Sequence, residues 1–372
     1  MKLRIATFNA NNLFSRAKVF QLPGFSKKAG QILDDIHELS ALLEQDSYKG
    51  ATAARIKKLL EQYEFHKKPP QERWFDINQV RNKLFSISQD KKSVNIQAAG
   101  RKSWVGWVEL TREVPDEASI QNTGRVIQAL KADVICMVEV ENRTALTRFD
   151  EEILGGLKAG VGHVMLIDGN DARGIDVGLL SRFPIRTIRS HVDDTFKAKH
   201  GQVEKVFSRD CPEYEVALPN GRSVWVLCNH FKSKGYGSQA ANDAKRRRQA
   251  RRARDIVNRF DLTQDFVVVA GDFNDTPASE PLSELLETPN LSDVLGHLPA
   301  GEPRWTYKGG KDQIDYLLVS DPLRLRLSKA GIERRGLFSK DDFGGKFPHF
   351  PEVTGTTSQA SDHAAVWADF DI

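Results

Sequence analysis

Residues 267–277 read VVVAGDFNDTP, a β-branched apolar run that ends abruptly in Gly-Asp-Phe-Asn with a proline close behind. The run from Phe266 to Ala270 is short and uninterrupted, the pattern of a strand covered on both faces. Residues two apart on a strand point the same way, so Asp272 and Asn274 aim side-chain oxygens at one place. Burying such groups without partners is costly. They either close a local Asx-type turn or hold something polar at a strand mouth. Taken alone, the stretch leaves those two readings level.

The same motif of a strand ending in polar residues recurs along the chain. ATFN ends in Asn9, with Asn11 two residues on, and ICMVEVEN carries Glu139. LCNHF ends at His230, QIDY holds Asp315, and ASDH supplies Asp362 and His363. Each has an ordinary reading by itself: a buried partner for an arginine, a satisfied core histidine, a turn cap. Six such endings in one chain point instead to one shared site, because loops at strand ends are where open sheets collect their chemistry. Carboxylates and amides with few nitrogens and no thiolates suit a hard cation such as Mg²⁺ or Mn²⁺, whereas zinc favours histidine and cysteine. A histidine oriented by an aspartate suits proton transfer at a phosphate oxygen. Metal-assisted attack of water on phosphorus accounts for all six together.

Between these strands the chain alternates helix and strand from Gly124 onward, as expected of one α/β core. Two helices are expected earlier, at 28–46 and 52–64, with apolar residues at helical spacing and a stop at Pro69 and Pro70. They read as a partly helical insertion at about 15–115 after the first strand, within a single domain spanning 1–372. The formal net charge is +4 over 372 residues, a mild excess compatible with an anionic partner. No stretch approaches the roughly 20 apolar residues of a membrane span. The N-terminal MKLRIATFNANNLF reads as a strand rather than a signal peptide. Three widely spaced cysteines form neither a disulfide framework nor a zinc pattern. These features suggest a soluble, cytoplasmic protein of undetermined oligomeric state.

The ordered set TFN, VEVEN, NHF, GDFN, IDYLLVS and SDH resembles the endonuclease/exonuclease/phosphatase superfamily with its DNase-I-like fold. That resemblance implies a four-layer αββα sandwich, two mixed β-sheets flanked by helices, with the site at one edge between the sheets. It also implies roles. Glu139 would be the principal metal ligand, with Asn9 and Asn11 beside it and Asp362 near the metal. Asp272 would orient or deprotonate the attacking water, and Asn274 would help hold the scissile phosphate. His363, oriented by Asp315, would contact a phosphate oxygen, and His230 would contact the phosphate or leaving group. Two positions depart from the family: Val138 stands where Gln is frequent, and Asn11 where abasic-site endonucleases have an acidic ligand.

The expected substrate is nucleic acid, DNA before RNA. The helical stretch AKRRRQARRARDIV presents Arg247 and Arg251 on a face suited to tracking phosphates, against the plainer reading of a solvated face paired with acidic neighbours. Arg173 either reaches the substrate phosphate or is an ordinary turn residue. Residues 336–357 mix phenylalanines with basic groups, read as pins onto the core rather than stacking platforms for bases. A phospholipid headgroup or small phosphate ester is the alternative substrate. A non-catalytic scaffold is a third reading, and the intact set of site residues speaks against it.

Overall fold

The computed structural model describes residues 1–21, 27–113, 116–171, 174–198, 201–235, 238–308, 312–338 and 347–372. The chain forms two compact units. The larger comprises Met1–Phe14, Pro115–Lys234 and Ser238–Ile372; the smaller comprises Ser15–Val114 with Gly235–Gly237.

The larger unit is an α/β sandwich of two six-stranded mixed sheets. Across the first, the order is Leu327–Glu333, Ala365–Asp371, Lys2–Asn9, Val134–Val140, Asp176–Ser181, His163–Leu166. Across the second it is Ile185–Arg189, Glu213–Ala217, Ser223–His230, Phe266–Asp272, Asp315–Ser320, Leu291–Asp293. Both sheets have the same construction. A parallel pair stands at the centre, and every other neighbour is antiparallel.

Strand pleating sorts the apolar side chains into three layers. Val134, Cys136 and Val138 of the first sheet meet Val226, Cys228, Val268 and Leu317 of the second in a fully buried central core. The alternate residues Ile135 and Met137 pack outward against Val126, Ile127 and Leu130 of the helix Glu117–Leu130. On the far side, Leu227, Val267 and Val269 meet Ala250, Ala253 and Ile256 of the helix Gln239–Val257. The uninterrupted apolar run around Val268 is therefore explained by burial on both faces. Helix starts are fixed by local side chains: Asp116 accepts from Ala118 N at 2.8 Å and Asn142 from Ala145 N at 2.8 Å.

The smaller unit has its own core. Helices Lys27–Leu43 and Ala51–Gln62 bury Leu39, Ile56, Leu59 and Leu60 with Phe65, Phe75 and Trp104. Among the described residues three short antiparallel ladders accompany it, Arg16–Ala17 with Arg112–Glu113, Phe75–Arg81 with Val105–Leu110 and Phe85–Ile87 with Val94–Ile96. Buried Trp104 donates its indole N–H to Tyr48 Oη at 2.9 Å, which satisfies the one polar atom it brings into the core. No helix of the described residues is long and apolar enough to cross a membrane.

Candidate active site

Each central parallel pair ends its two strands at one edge, and all four ends carry a polar side chain. Asn9 and the Val134–Val140 strand with Glu139 close the first pair; His230 and Asp272 close the second. In the second sheet the register sets His230 opposite Asp272, and Asp272 opposite Asp315. One row across three neighbouring strands thus presents a histidine and two carboxylates. Gly271 makes the row possible: its φ is +136°, and a Cβ there would stand 1.9 Å from Asn229 O of the neighbouring strand.

Glu139 reaches the site through a bulge. Asp176 pairs with Val140 and Val177 with Val138, so Glu139 is an extra residue in its strand, held in the left-handed region at φ +60°. Such a bulge re-aims a side chain. Without it, pleating would carry Val140 into the central core; with it, Val140 stays on the outer layer. The adjoining strand stitches onto the bulge, Ala10 N donating to Val138 O at 2.8 Å and Asn12 N to Glu139 O at 2.9 Å. Asn11 and Asn12 turn through positive φ to allow this, a conformation asparagine tolerates.

The side chains then converge. His230 Nε2 lies 3.7 Å from both Glu139 Oε1 and Asp272 Oδ2. Asn9 Nδ2 donates to Asp272 Oδ2 at 3.1 Å, while its Oδ1 accepts from Asn11 N at 3.0 Å. Asn274, at φ +56°, gives its backbone N–H to Asp272 Oδ1 at 2.8 Å. Its amide donates to Asp272 Oδ2 at 3.1 Å and to Phe231 O at 3.2 Å. His363 Nδ1 sits 2.9 Å from Asp315 Oδ2, and its Nε2 lies 3.9 Å from Asp272 Oδ2. Behind it, Ser361 Oγ donates to Asn9 O at 2.7 Å and accepts from His363 N at 3.0 Å, tying the chain before Ala365–Asp371 to the end of Lys2–Asn9.

So many acidic groups in a dry place disturb one another. Burial pushes the Asp272 carboxyl up to about 7; His363 and the Asn274 N–H oppose this, and Asp315 and Glu139 add to it. Glu139 is raised by burial and then by Asp362, against His363 and Arg209. Burial would lower His363, but Asp315 and Asp272 override it and hold the imidazole well above its ordinary value. A divalent cation would relieve this carboxylate repulsion, and the oxygen-rich donor set fits such an ion. Asp272, Asp315 and His363 each offer a ligand atom, all within 4.8 Å of one another.

The site residues expected from the sequence therefore divide into three groups. Asn9, Glu139, His230, Asp272, Asn274, Asp315 and His363 meet in one cluster. Asn11 joins through its backbone, and Asp362 acts on Glu139 through its charge. Arg247 and Arg251 instead spend their guanidinium groups on Glu280 and Glu284 at the surface. Arg173 lies outside the described residues. Residues 336–357 fall partly outside them too, but Phe350 packs on the outer layer and Phe347 lies 5.4 Å from Trp305.

Two neighbours are added by the fold. The Tyr307 ring lies tilted beside that of His363, centroids 5.0 Å apart, and its segment bridges to that of His363. Buried Arg209 holds Asp171 at 3.1 Å and bears on Glu139. Neither follows a strand end, so the pattern that exposes the others passes over them.

The sequence pattern of the "Endonuclease/Exonuclease/phosphatase family" matches residues 93–363, most of the chain. The chain belongs to this family. Members are in general divalent-metal-dependent hydrolases, nucleases among them. Solved structures similar to the chain include an endonuclease/exonuclease/phosphatase from Beutenbergia cavernae DSM 12333, 18% identical over 68% of this chain and 66% of that one, TM-score 0.47. This chain thus spans just under two thirds of that protein's length. An AP endonuclease from Archaeoglobus fulgidus is 17% identical over 68% of this chain and 95% of that one, TM-score 0.48. Truncated Caenorhabditis elegans TDP2 is 16% identical over 68% and 91%, TM-score 0.44. No curated protein matches the chain in sequence.

Proposed function

We propose that this family member is a divalent-metal-dependent phosphodiesterase that hydrolyses a polynucleotide, DNA before RNA. The observation that carries the reading is the row His230–Asp272–Asp315 closed by His363, with Glu139 bulged towards it from the facing sheet. Glu139 and Asp362 would hold a Mg²⁺ or Mn²⁺, with Asn9 and Asn11 shaping the edge of that site. When bound, the cation polarises a phosphoryl oxygen and offsets the charge that develops on it.

The remaining work falls to the protein's own groups. Asp272, with an elevated carboxyl pKa, is suited to take a proton from the attacking water. Asn9 and Asn274 fix both of its oxygens. The Asn274 amide is engaged by Asp272 and Phe231, so it serves the phosphate through the carboxylate it orients. Asp315 keeps His363 protonated, so that its Nε2 N–H can donate to a phosphate oxygen. His230 Nε2 lies 3.7 Å from both Glu139 and Asp272, and we read it as the group that would contact the phosphate or leaving oxygen.

All these groups lie outside residues 15–115, which we read as an insertion carried by one catalytic domain. Three buried free cysteines suit a reducing, cytoplasmic setting.

Cleavage of single- and double-stranded DNA, RNA and a simple phosphodiester, with Mg²⁺, Mn²⁺ or chelator, tests this reading beside Asp272→Ala. Metal-dependent polynucleotide cleavage that the variant loses supports it. Hydrolysis of the simple ester alone would keep the chemistry and refute the nuclease.

A further inference from the structure

The helix Gln239–Val257 has two cationic flanks in different surroundings. On one, Arg247, Arg251 and Arg254 are matched by Glu280 and Glu284. On the other stand Lys245, Arg248 and Arg252, three and four residues apart and so aligned along one stripe. This second flank faces the chain between His191 and Arg209. There Arg252 Nε meets Asp194 Oδ2 at 2.7 Å, and the Arg248 guanidinium lies 4.1 Å over the Phe196 ring. Among the described residues no carboxylate comes within ion-pair distance of Lys245 or Arg248.

Burial makes this unusual. Arg248 Nε and Gln249 Nε2 are both buried without a hydrogen-bond partner among the described residues. Gln249 is wholly buried, and its other amide atom is committed, accepting from Lys232 N at 2.8 Å. Lys245 lies one turn before both. Lys245 and Arg248, one turn apart, thus carry cationic donors that meet no acceptor among the described residues, an arrangement that costs stability until something fills it. Burial lowers the pKa of Lys245, and Arg209 lowers it further. The acidic groups that bear on Lys245 and Arg248 are Glu204, which is exposed, and Asp171, already held by Arg209.

The position is as telling as the charge. Lys232, to which Gln249 is pinned, is two residues beyond His230. Arg246 grips the same place, donating to Lys232 O at 2.9 Å. The helix turn that carries Lys245 and Arg248 is thus held beside the chain that leaves the catalytic row. An anion with several acceptor oxygens is what such a set of donors would take.

We propose that Lys245 and Arg248 form a second phosphate subsite, which takes a non-scissile phosphate of a polynucleotide whose scissile phosphate lies at Asp272 and His363. The inference rests on the nuclease reading above and gives it a direction: the strand leaves the catalytic row past His230, along the Lys245–Arg248 flank. The Arg247–Arg251 flank has no part in it.

The test is binding of a labelled single-stranded oligonucleotide to the full chain in chelator, followed by fluorescence anisotropy across a salt series. Losing the contact to that one phosphate lowers the slope of log affinity against log salt by about 0.7. Lys245→Gln with Arg248→Gln is expected to do this, and Lys245→Gln alone to lower it by part of that amount. Lys245→Arg with Arg248→Lys, and Arg247→Gln with Arg251→Gln, are expected to keep the wild-type slope. The single variant serves where melting shows the double one unfolded. An unchanged slope in the folded Lys245 variant overturns the subsite. Mg²⁺-dependent cleavage by the wild-type chain reports separately on the nuclease reading. If the wild type cleaves and the slope does not move, the subsite alone falls. If the wild type neither cleaves nor binds, both fall.

Discussion

His363 and Asp315 come from segments 48 residues apart and meet at 2.9 Å between Nδ1 and Oδ2. The pairing fixes the ring so that Nε2 faces Asp272, and it stabilises the imidazolium against a burial that would otherwise discharge it. Asp315→Asn keeps the shape and removes the charge. It is expected to lower turnover by about 10²–10⁴ and to move the alkaline limb of the kcat/KM profile to lower pH. An alkaline limb that stays in place would show that Asp315 does not set the proton on His363.

Asp272 links metal binding to pH. Its folded pKa of about 7 lies above the ordinary carboxyl value near 4. In chelated protein the folded state therefore binds the extra proton, and stability falls as pH rises through that window. His363 acts in the same direction: its raised pKa contributes stability that is full below about 6.5 and is lost at higher pH. A divalent cation displaces the Asp272 proton, so apparent metal affinity is expected to rise with pH up to about 7 and then level off. Calorimetric metal titrations in buffers of different ionisation heat check this. The absence of proton release at pH 6 would contradict it.

Glu139 is tested by the metal rather than by turnover alone. Glu139→Ala removes the carboxylate while a small side chain keeps the bulge. The metal concentration for half activity is expected to rise about 10-fold or more, in line with losing a direct ligand. An unchanged metal titration would take Glu139 out of the metal site.

Gly271 holds the row together by having no side chain. Gly271→Ala would drive a Cβ into Asn229 O at a backbone conformation alanine avoids. The expected loss is about 3 kcal/mol or more in urea denaturation, with the strands of His230 and Asp272 forced apart. A loss below about 0.5 kcal/mol, the range of surface changes, would contradict the close approach.

Arg246 is wholly buried and joins Asp243, the Asp275 carboxylate at 3.0 Å and Lys232 O. It thereby ties the chain after His230 to the chain after Asn274. Arg246→Met leaves Asp275 a buried charge without this partner and is expected to cost about 3–5 kcal/mol. Equilibrium unfolding measures it, and a melting curve like that of the wild type would exclude the tie.

Much of the site is legible in the sequence because its residues obey a local rule. An apolar run that stops at Asn9, His230 or Asp272 announces a strand mouth without reference to the rest of the chain. Arg209 and Tyr307 escape the rule, since nothing beside them in sequence marks them as neighbours of Glu139 and His363. The arginine-rich helix shows the limit most clearly. Its spacing separates a packing face from a cationic one, but Arg247 and Arg251 look the same in sequence as Lys245 and Arg248. Only the placement of Glu280 and Glu284 neutralises one flank and leaves the other.

By itself the sequence determined the strands, their buried character and the polar residues that end them, because side-chain alternation and the cost of burying charge act over a few residues. The tertiary structure decided the rest: the register that aligns His230, Asp272 and Asp315, the bulge that turns Glu139 into their reach, and which arginines of the basic helix meet Glu280 and Glu284. Those depend on which strands become neighbours, and electrostatic energy in a dry site is set by distances of a few ångströms between segments far apart in the chain.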